Sequence, residues 1–213
     1  MECLENGTLE VEDITIDAAN ELIAKYSFSR DGDHWEATST ADGSMVVAID
    51  TTQDEAILTA GRARELMNHI QQLRKGAGLD ISDAVEVFFE EGVDVDTTER
   101  AVSMNLPLFQ AKFKGGAVPI PKRCAPPGIV VLRSDTVDVG GSNVVVYVCR
   151  PSLAACDDLD ELAANYLSTL QPNSVDGEIV FSIDGKRYCL KEGTDYWKNA
   201  AAKAKATKSV EWL

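Results

Sequence analysis

The chain predicts an α+β protein: a small sheet covered by one long helix, followed by a second helix-on-sheet unit. Three observations predict it. Between residues 55 and 75, apolar side chains recur at helical spacing, at Ala56, Ala60, Ala63, Leu66/Met67, Ile70 and Leu73. Strand-like runs flank that stretch, Met45–Ile49 before it and Ala84–Phe89 after it. Further on, Asp184-Gly185 separates two more apolar runs, a strong signal for a two-residue hairpin.

The elements follow in order. Leu9, Val11, Ile14 and Ile16 suit an early strand with a break near Asp13, and Asp17–Tyr26 suits a short helix. Trp35–Thr40 and Ser44–Ile49 form a hairpin around Ala41-Asp42-Gly43. Thr52 to Glu55 spells a capping box for the long helix, and Gly76 and Gly78 mark its end. Thr97–Met104 is a short helix whose continuation Pro107 limits. Residues 114–128, KGGAVPIPKRCAPPG, have no apolar period, and Pro119, Pro121, Pro126 and Pro127 stiffen them. They read as a linker between a first unit, 1–113, and a second, 129–213.

In the second unit, Ile129–Leu132 and Val144–Cys149 are strands whose connection carries Gly140-Gly141. Leu159, Leu162, Ala163, Tyr166, Leu167 and Leu170 make one helix face, with Asp158 and Glu161 as a capping pair. Glu178–Ile183 and Lys186–Leu190 complete the hairpin. The order ββαββ suits a β-grasp (ubiquitin-like) unit, one helix over a mixed sheet, although many small α+β domains share it. Lys198–Lys208 alternates alanine and lysine, as a short helix or a frayed basic end.

Composition narrows the functions. The 213 residues are 45% apolar, enough for a sizeable core, and no run approaches membrane-spanning length. The five cysteines form no CxxC and suit reduced thiols in a cytoplasmic chain. A net charge of −15 argues against a general nucleic-acid binder. The distribution softens that objection. Residues 61–79 hold four bases and one acid, and residues 101–133 hold five bases and no acid, whereas residues 1–60 hold fourteen acids and two bases. If the two basic segments meet in space, they form a basic patch on an acidic body.

On the long helix, Arg64, Asn68, Gln71 and Lys75 fall on one narrow stripe, with Arg62, Glu65, His69 and Gln72 beside it. Guanidinium, amide and ammonium groups on a rigid rod suit phosphates and sugars. A charged helix surface is also the ordinary solvated face of a helix. His34 and His69 are far apart in sequence, and no spaced Cys/His set, P-loop or nucleophile elbow occurs. No metal, cofactor or catalytic residue is expected.

The run G-x-A-R-E-L, then I-Q-x-L-R-K, then A-G-L-D-x-S-D occupies Gly61, Ala63–Leu66, Ile70–Gln71, Leu73–Lys75, Ala77–Asp80 and Ser82–Asp83. It resembles the C-terminal region of isoleucyl-tRNA synthetases, densely over about forty residues and more loosely over roughly the first 120. The remainder resembles the C-terminal extension of the cytosolic, eukaryotic-type enzyme, which carries ubiquitin-like repeats. The resemblance implies an excised synthetase tail. Of the two catalytic signatures of that class, H-x-G-H is missing, and Lys205–Ser209, KATKS, matches K-M-S-K-S only superficially in an Ala/Lys run.

What the resemblance implies is a non-catalytic appendage. It would help hold tRNA(Ile) at the anticodon end while the catalytic body of the same synthetase acylates it, in the cytoplasm and away from membranes. The residues expected to contact RNA are Arg62, Arg64, Asn68, Gln71, Arg74 and Lys75, then Lys112, Lys114, Lys122 and Arg123. Arg74 has a helical angle close to the apolar face. The alternative is a protein-interaction module, in which the ubiquitin-like unit tethers the synthetase to partner proteins or a multi-synthetase assembly.

Overall fold

Two short antiparallel hairpins begin the chain. Thr8–Val11 (β1) pairs with Ile14–Asp17 (β2), and Trp35–Ser39 (β3) with Val46–Asp50 (β4). In the second, Asp42 Oδ1 accepts from the Ser44 amide at 3.1 Å and the Ser44 hydroxyl at 2.8 Å. The Thr40 hydroxyl adds a third donor, and these bonds hold the Asp42 carboxyl down to about 2. The computed structural model describes residues 8–11, 14–17, 34–40, 42, 44–80, 82–92, 97–113 and 118–213. Residues 18–26 of the expected Asp17–Tyr26 helix, and Ala41 and Gly43 of the expected turn, lie outside the described residues. The two hairpins belong to one unit, Met1–Asp54, and the rest of the chain to a second, Glu55–Leu213.

The second unit opens on the long helix, Glu55–Gly76 (α1). It starts two residues later than a Thr52 cap would place it. The Thr52 hydroxyl instead donates to Asp50 Oδ1 at 2.6 Å. Ala63, Leu66, Met67, Ile70 and Leu73 are buried, as the periodicity predicts. Full burial of a leucine or isoleucine such as Leu66 or Ile70 contributes about 1.5–3 kcal/mol. The helix ends at Gly78, which has φ +73°. There Gly78 N–H bonds Lys75 O at 3.0 Å and Leu79 N–H bonds Arg74 O at 3.1 Å, a Schellman closure that only a left-handed residue permits.

The apolar face of α1 lies on a four-stranded sheet. Its order is Ile120–Pro121 (β6), Glu86–Glu91 (β5), Ser142–Cys149 (β8) and Val131–Val139 (β7). Val87 and Phe89 of β5, Val144, Val146 and Val148 of β8, and Val137 and Val139 of β7 share the core with α1. Phe109 and Phe113 close that core from the helix Leu106–Lys112 (α3), which follows Thr97–Met104 (α2). Pro107 does end α2, but as a first-turn residue of α3, where its missing N–H costs nothing. Phe88 and Ile120 face the other way. They are covered by the C-terminal helix Ala200–Ala206 (α5), whose Ala200 is buried with them. The Ala/Lys tail is therefore a docked helix rather than a frayed end.

This sheet corrects the expected division of the chain. β5 precedes residues 114–128 and β7 and β8 follow them, yet β5 pairs with β8 over six residues. The Gly/Pro stretch thus lies inside one unit rather than between two. Pro121 itself pairs with Phe89 in β6, an edge strand, where a missing amide is tolerated.

The expected ββαββ grasp is corrected by the same pairing. β7 and β8 belong to the α1 sheet, while Glu178–Ile183 (β10) and Lys186–Lys191 (β11) pair only with each other. Between them come Ala154–Ala155 (β9) and the helix Glu161–Thr169 (α4), and Tyr196–Trp197 (β12) pairs back on β9. A second small core joins Leu153, Ala163, Leu167, Ile179, Tyr188, Leu190 and Tyr196. The Asp184-Gly185 turn has φ +49° and +79°, as a two-residue hairpin of this twist requires. α4 is capped by Asp160, not Asp158, with Oδ1 accepting from Ala163 N–H at 3.0 Å.

Candidate nucleic-acid interface

The polar side of α1 is as periodic as its buried side. Arg64, Asn68, Gln71 and Lys75 are all exposed, one above the other at spacings of four, three and four residues. None of the four has an ion-pair partner among the described residues. The flanking stripe is engaged differently. Glu65 Oε2 accepts from Gly140 N–H at 2.7 Å, at the β7–β8 turn, and Arg62 lies flat over the same glycine. An added Cβ at Gly140 would stand 2.5 Å from Arg62 Nε, so the close approach depends on glycine as much as the φ of +59° does.

Arg74 is not part of the exposed surface. It is 6% exposed, and its Nη2 donates to Asp80 O at 2.9 Å and Asp83 O at 2.8 Å. Its guanidinium ties the loop after α1 to the helix, which removes it from the expected RNA contacts. Another arginine near this helix end was not expected from the sequence. Arg133, on β7, crosses to the end of α1 and donates from Nη1 to Gly76 O at 3.0 Å. The signal was masked because the strand was expected to end at Leu132, leaving Arg133 in a connection.

Of the second basic segment, Arg133 reaches the end of α1, but Lys122 does not. Val87, Phe89, Val146 and Val148 face α1, so Phe88 and Tyr147 face the opposite side of the sheet. Lys122 lies over those two rings, 4.5 Å from the Tyr147 centroid and 5.7 Å from that of Phe88. Arg123, beside it, makes a two-pronged pair with Glu99, both contacts 2.9 Å. The sheet stands between these cations and the α1 stripe. Lys112 is exposed in the last turn of α3, and Lys114 lies outside the described residues.

A cleft of about 650 Å³ opens beside β5 and is lined by Glu86, Ile120, Arg150, Lys198 and Asn199 among others. Its lining holds no imidazole, thiol or hydroxyl side chain. Among the described residues no three His, Cys, Asp or Glu side chains converge as a metal site, and no helix is long and apolar enough to cross a membrane. Cys124, Cys149, Cys156 and Cys189 are free thiols, and burial pushes that of Cys149 up to about 11.

No family model matches the chain. Individual proteins do, in part. The cytoplasmic isoleucine–tRNA ligase of Arabidopsis thaliana is 46% identical over 55 residues, 26% of this chain and 5% of that protein. That of Schizosaccharomyces pombe is 30% identical over 112 residues, 53% of this chain and 10% of that protein. The isoleucine–tRNA ligase of Bacteroides thetaiotaomicron is 33% identical over 69 residues, 32% of this chain and 6% of that protein. The matches thus span a tenth or less of those relatives' length, and they cover eukaryotic cytoplasmic and bacterial ligases alike. A region of this chain is related to isoleucine–tRNA ligases.

Proposed function

We propose that this chain acts as a non-catalytic appendage of an isoleucine–tRNA ligase, helping to hold tRNA(Ile) toward its anticodon end. The observation that carries the reading is the exposed, unpaired stripe Arg64–Asn68–Gln71–Lys75 on a helix fixed by its buried face. The partial similarity to isoleucine–tRNA ligases supplies the partner. A rigid helix keeps four donors at set spacings, so binding costs less backbone entropy than it would from a flexible loop. Such remote contacts orient a substrate whose reacting end lies in another domain. Lys122 and Arg123 are left out of the contact, because they sit across the sheet and one of them is already paired.

The test is a gel-shift titration with a tRNA(Ile) transcript at several salt concentrations. The parent should bind weakly, with affinity falling as salt rises. Each lost phosphate contact flattens the log–log salt slope by about 0.7–0.9. The double variant Arg64→Ala/Lys75→Ala should lose up to two such steps and keep its thermal midpoint. A parental slope in that variant would sink the reading. Protein docking is the second reading, favoured by one observation: Val131 and Leu132 of β7, an edge strand of the sheet, and Val130 just before it are 42–44% exposed. Under it, the parent binds no tRNA in the same titration and is retained by the ligase's catalytic body instead.

A further inference from the structure

Three features meet at the C-terminal turn of α1. The Schellman closure uses the carbonyls of Arg74 and Lys75 but leaves that of Gly76 to another donor. Arg133 supplies it, at 3.0 Å from Nη1. The absence of a side chain at Gly76 is what lets the guanidinium lie there. An added Cβ would stand 3.1 Å from both Cζ and Nε and 3.4 Å from Cδ. Gly76 is helical and not left-handed, so its backbone does not itself call for glycine.

The seat leaves Arg133 exposed beside Lys75, with one of its five N–H groups used on a neutral acceptor. Neighbouring acids are engaged elsewhere. Asp83 Oδ2 accepts from Asp80 N–H at 2.7 Å, and Asp135 Oδ1 from Thr136 N–H at 2.8 Å. Among the described residues no carboxylate lies within ion-pair distance of Arg133. A planar fork held flat with its remaining donors turned to solvent suits a phosphodiester oxygen.

We propose that Arg133, seated on Gly76, is a phosphate-contacting residue that extends the α1 stripe onto the edge strand β7. This deepens the RNA-binding reading and rests on it. The interface is then made of two elements, helix and strand, that the sequence separates by 57 residues.

The experiment compares the parent with Arg133→Ala, Arg133→Lys and Gly76→Ala in tRNA(Ile) titrations over a range of salt, alongside thermal melts. Arg133→Ala should flatten the slope by one contact, about 0.7–0.9, while Arg133→Lys should keep most of it. Gly76→Ala removes no charge and presses the guanidinium out by only a few tenths of an ångström, so it should hold or raise the melting midpoint and lower affinity less than Arg133→Ala does. A parental slope in Arg133→Ala would show that the guanidinium only closes the Gly76 carbonyl. An affinity loss in Gly76→Ala as large as that in Arg133→Ala would overturn the seat. Either result leaves the Arg64/Lys75 reading intact. Absence of tRNA binding by the parent brings down both.

Discussion

Glu86 fastens the C-terminal helix to the sheet. The residue opens β5 and is 9% exposed. Its Oε2 accepts from Ser152 N–H at 3.0 Å, and its Oε1 from Ala200 N–H at 2.8 Å. Ala200 is the first residue of α5, whose other early amide, Ala202, is capped by Asn199 at 2.7 Å. One carboxylate therefore joins three segments: the start of β5, the loop after β8 and the C-terminal helix. Glu86→Ala removes both acceptors and leaves two buried amides unpaired, at about 1–3 kcal/mol each. Part of that returns because a buried charge no longer has to be desolvated, so the expected loss is about 2–4 kcal/mol.

The same site has a pH signature. Burial raises the Glu86 carboxyl above its ordinary 4.5, and the Ala200 and Ser152 amides only partly oppose it. The folded chain therefore holds this proton more tightly than the unfolded one. Its contribution to stability is full at and below pH 4.5 and falls as pH rises through the folded value. Glu86→Gln cannot titrate. Urea unfolding of parent and Glu86→Gln, followed by tryptophan fluorescence between mildly acid and neutral pH, isolates the effect. The parent should lose stability relative to the glutamine variant as pH rises. A difference that grows in the other direction, or a cost under about 1 kcal/mol for Glu86→Ala, refutes the account.

Two further outcomes test neighbouring claims. Arg74→Met should lower stability by about 1–3 kcal/mol, since two loop carbonyls lose their donor, yet leave the tRNA salt slope at the parental value once folding is corrected for; a flattened slope would return Arg74 to the RNA surface. Asp160 accepts from Lys186 Nζ at 2.9 Å, the Tyr188 hydroxyl at 2.6 Å and Ala163 N–H at 3.0 Å, with Lys186 foremost in holding its carboxyl well below the usual 3.8. That stabilisation is present above 3.8 and is lost as pH falls toward the folded value, so Asp160→Asn should flatten the acid limb of a circular-dichroism titration, and an unchanged limb would count against it.

Period decided what could be foreseen in the sequence. α1 repeats its apolar residues at helical spacing and the Asp184-Gly185 hairpin carries its turn chemistry in two letters, so both elements stand where expected, although the buried face of α1 begins at Ala63 and leaves Ala56 exposed. β7 was expected as Ile129–Leu132 and runs instead from Val131 to Val139. Its first six residues are exposed and polar or mixed because it is an edge strand, and only Val137 and Val139 reach the core. Ending β7 at Leu132 hid Arg133, and residues 114–128 looked like a boundary. The pairing of β5 with β8 is a contact between residues more than fifty positions apart, which no local pattern encodes. Glycine and proline there mark an edge strand and its exit, not a gap between units.

Sheet geometry also settles which positive charges can work together. A helix layer stands about 10 Å from the sheet it covers, so cations on the outer side of α1 and cations beneath the sheet are separated by more than that. The screening length at physiological salt is about 8 Å. Lys122 over Tyr147 and Arg123 on Glu99 therefore add little to the field felt at Arg64 and Lys75, whatever their place in the sequence suggests. What remains on the α1 side is a short row of cations on a chain of net charge −15. A row of that size can neutralise only a few phosphates, and the acidic body opposes the rest of the polyanion. Under the proposed tRNA-binding role, affinity from this surface alone is modest and strongly salt-dependent. Such a contact is useful mainly in cis, where attachment to a larger tRNA-binding body raises its effective concentration and turns a weak grip into a fixed orientation.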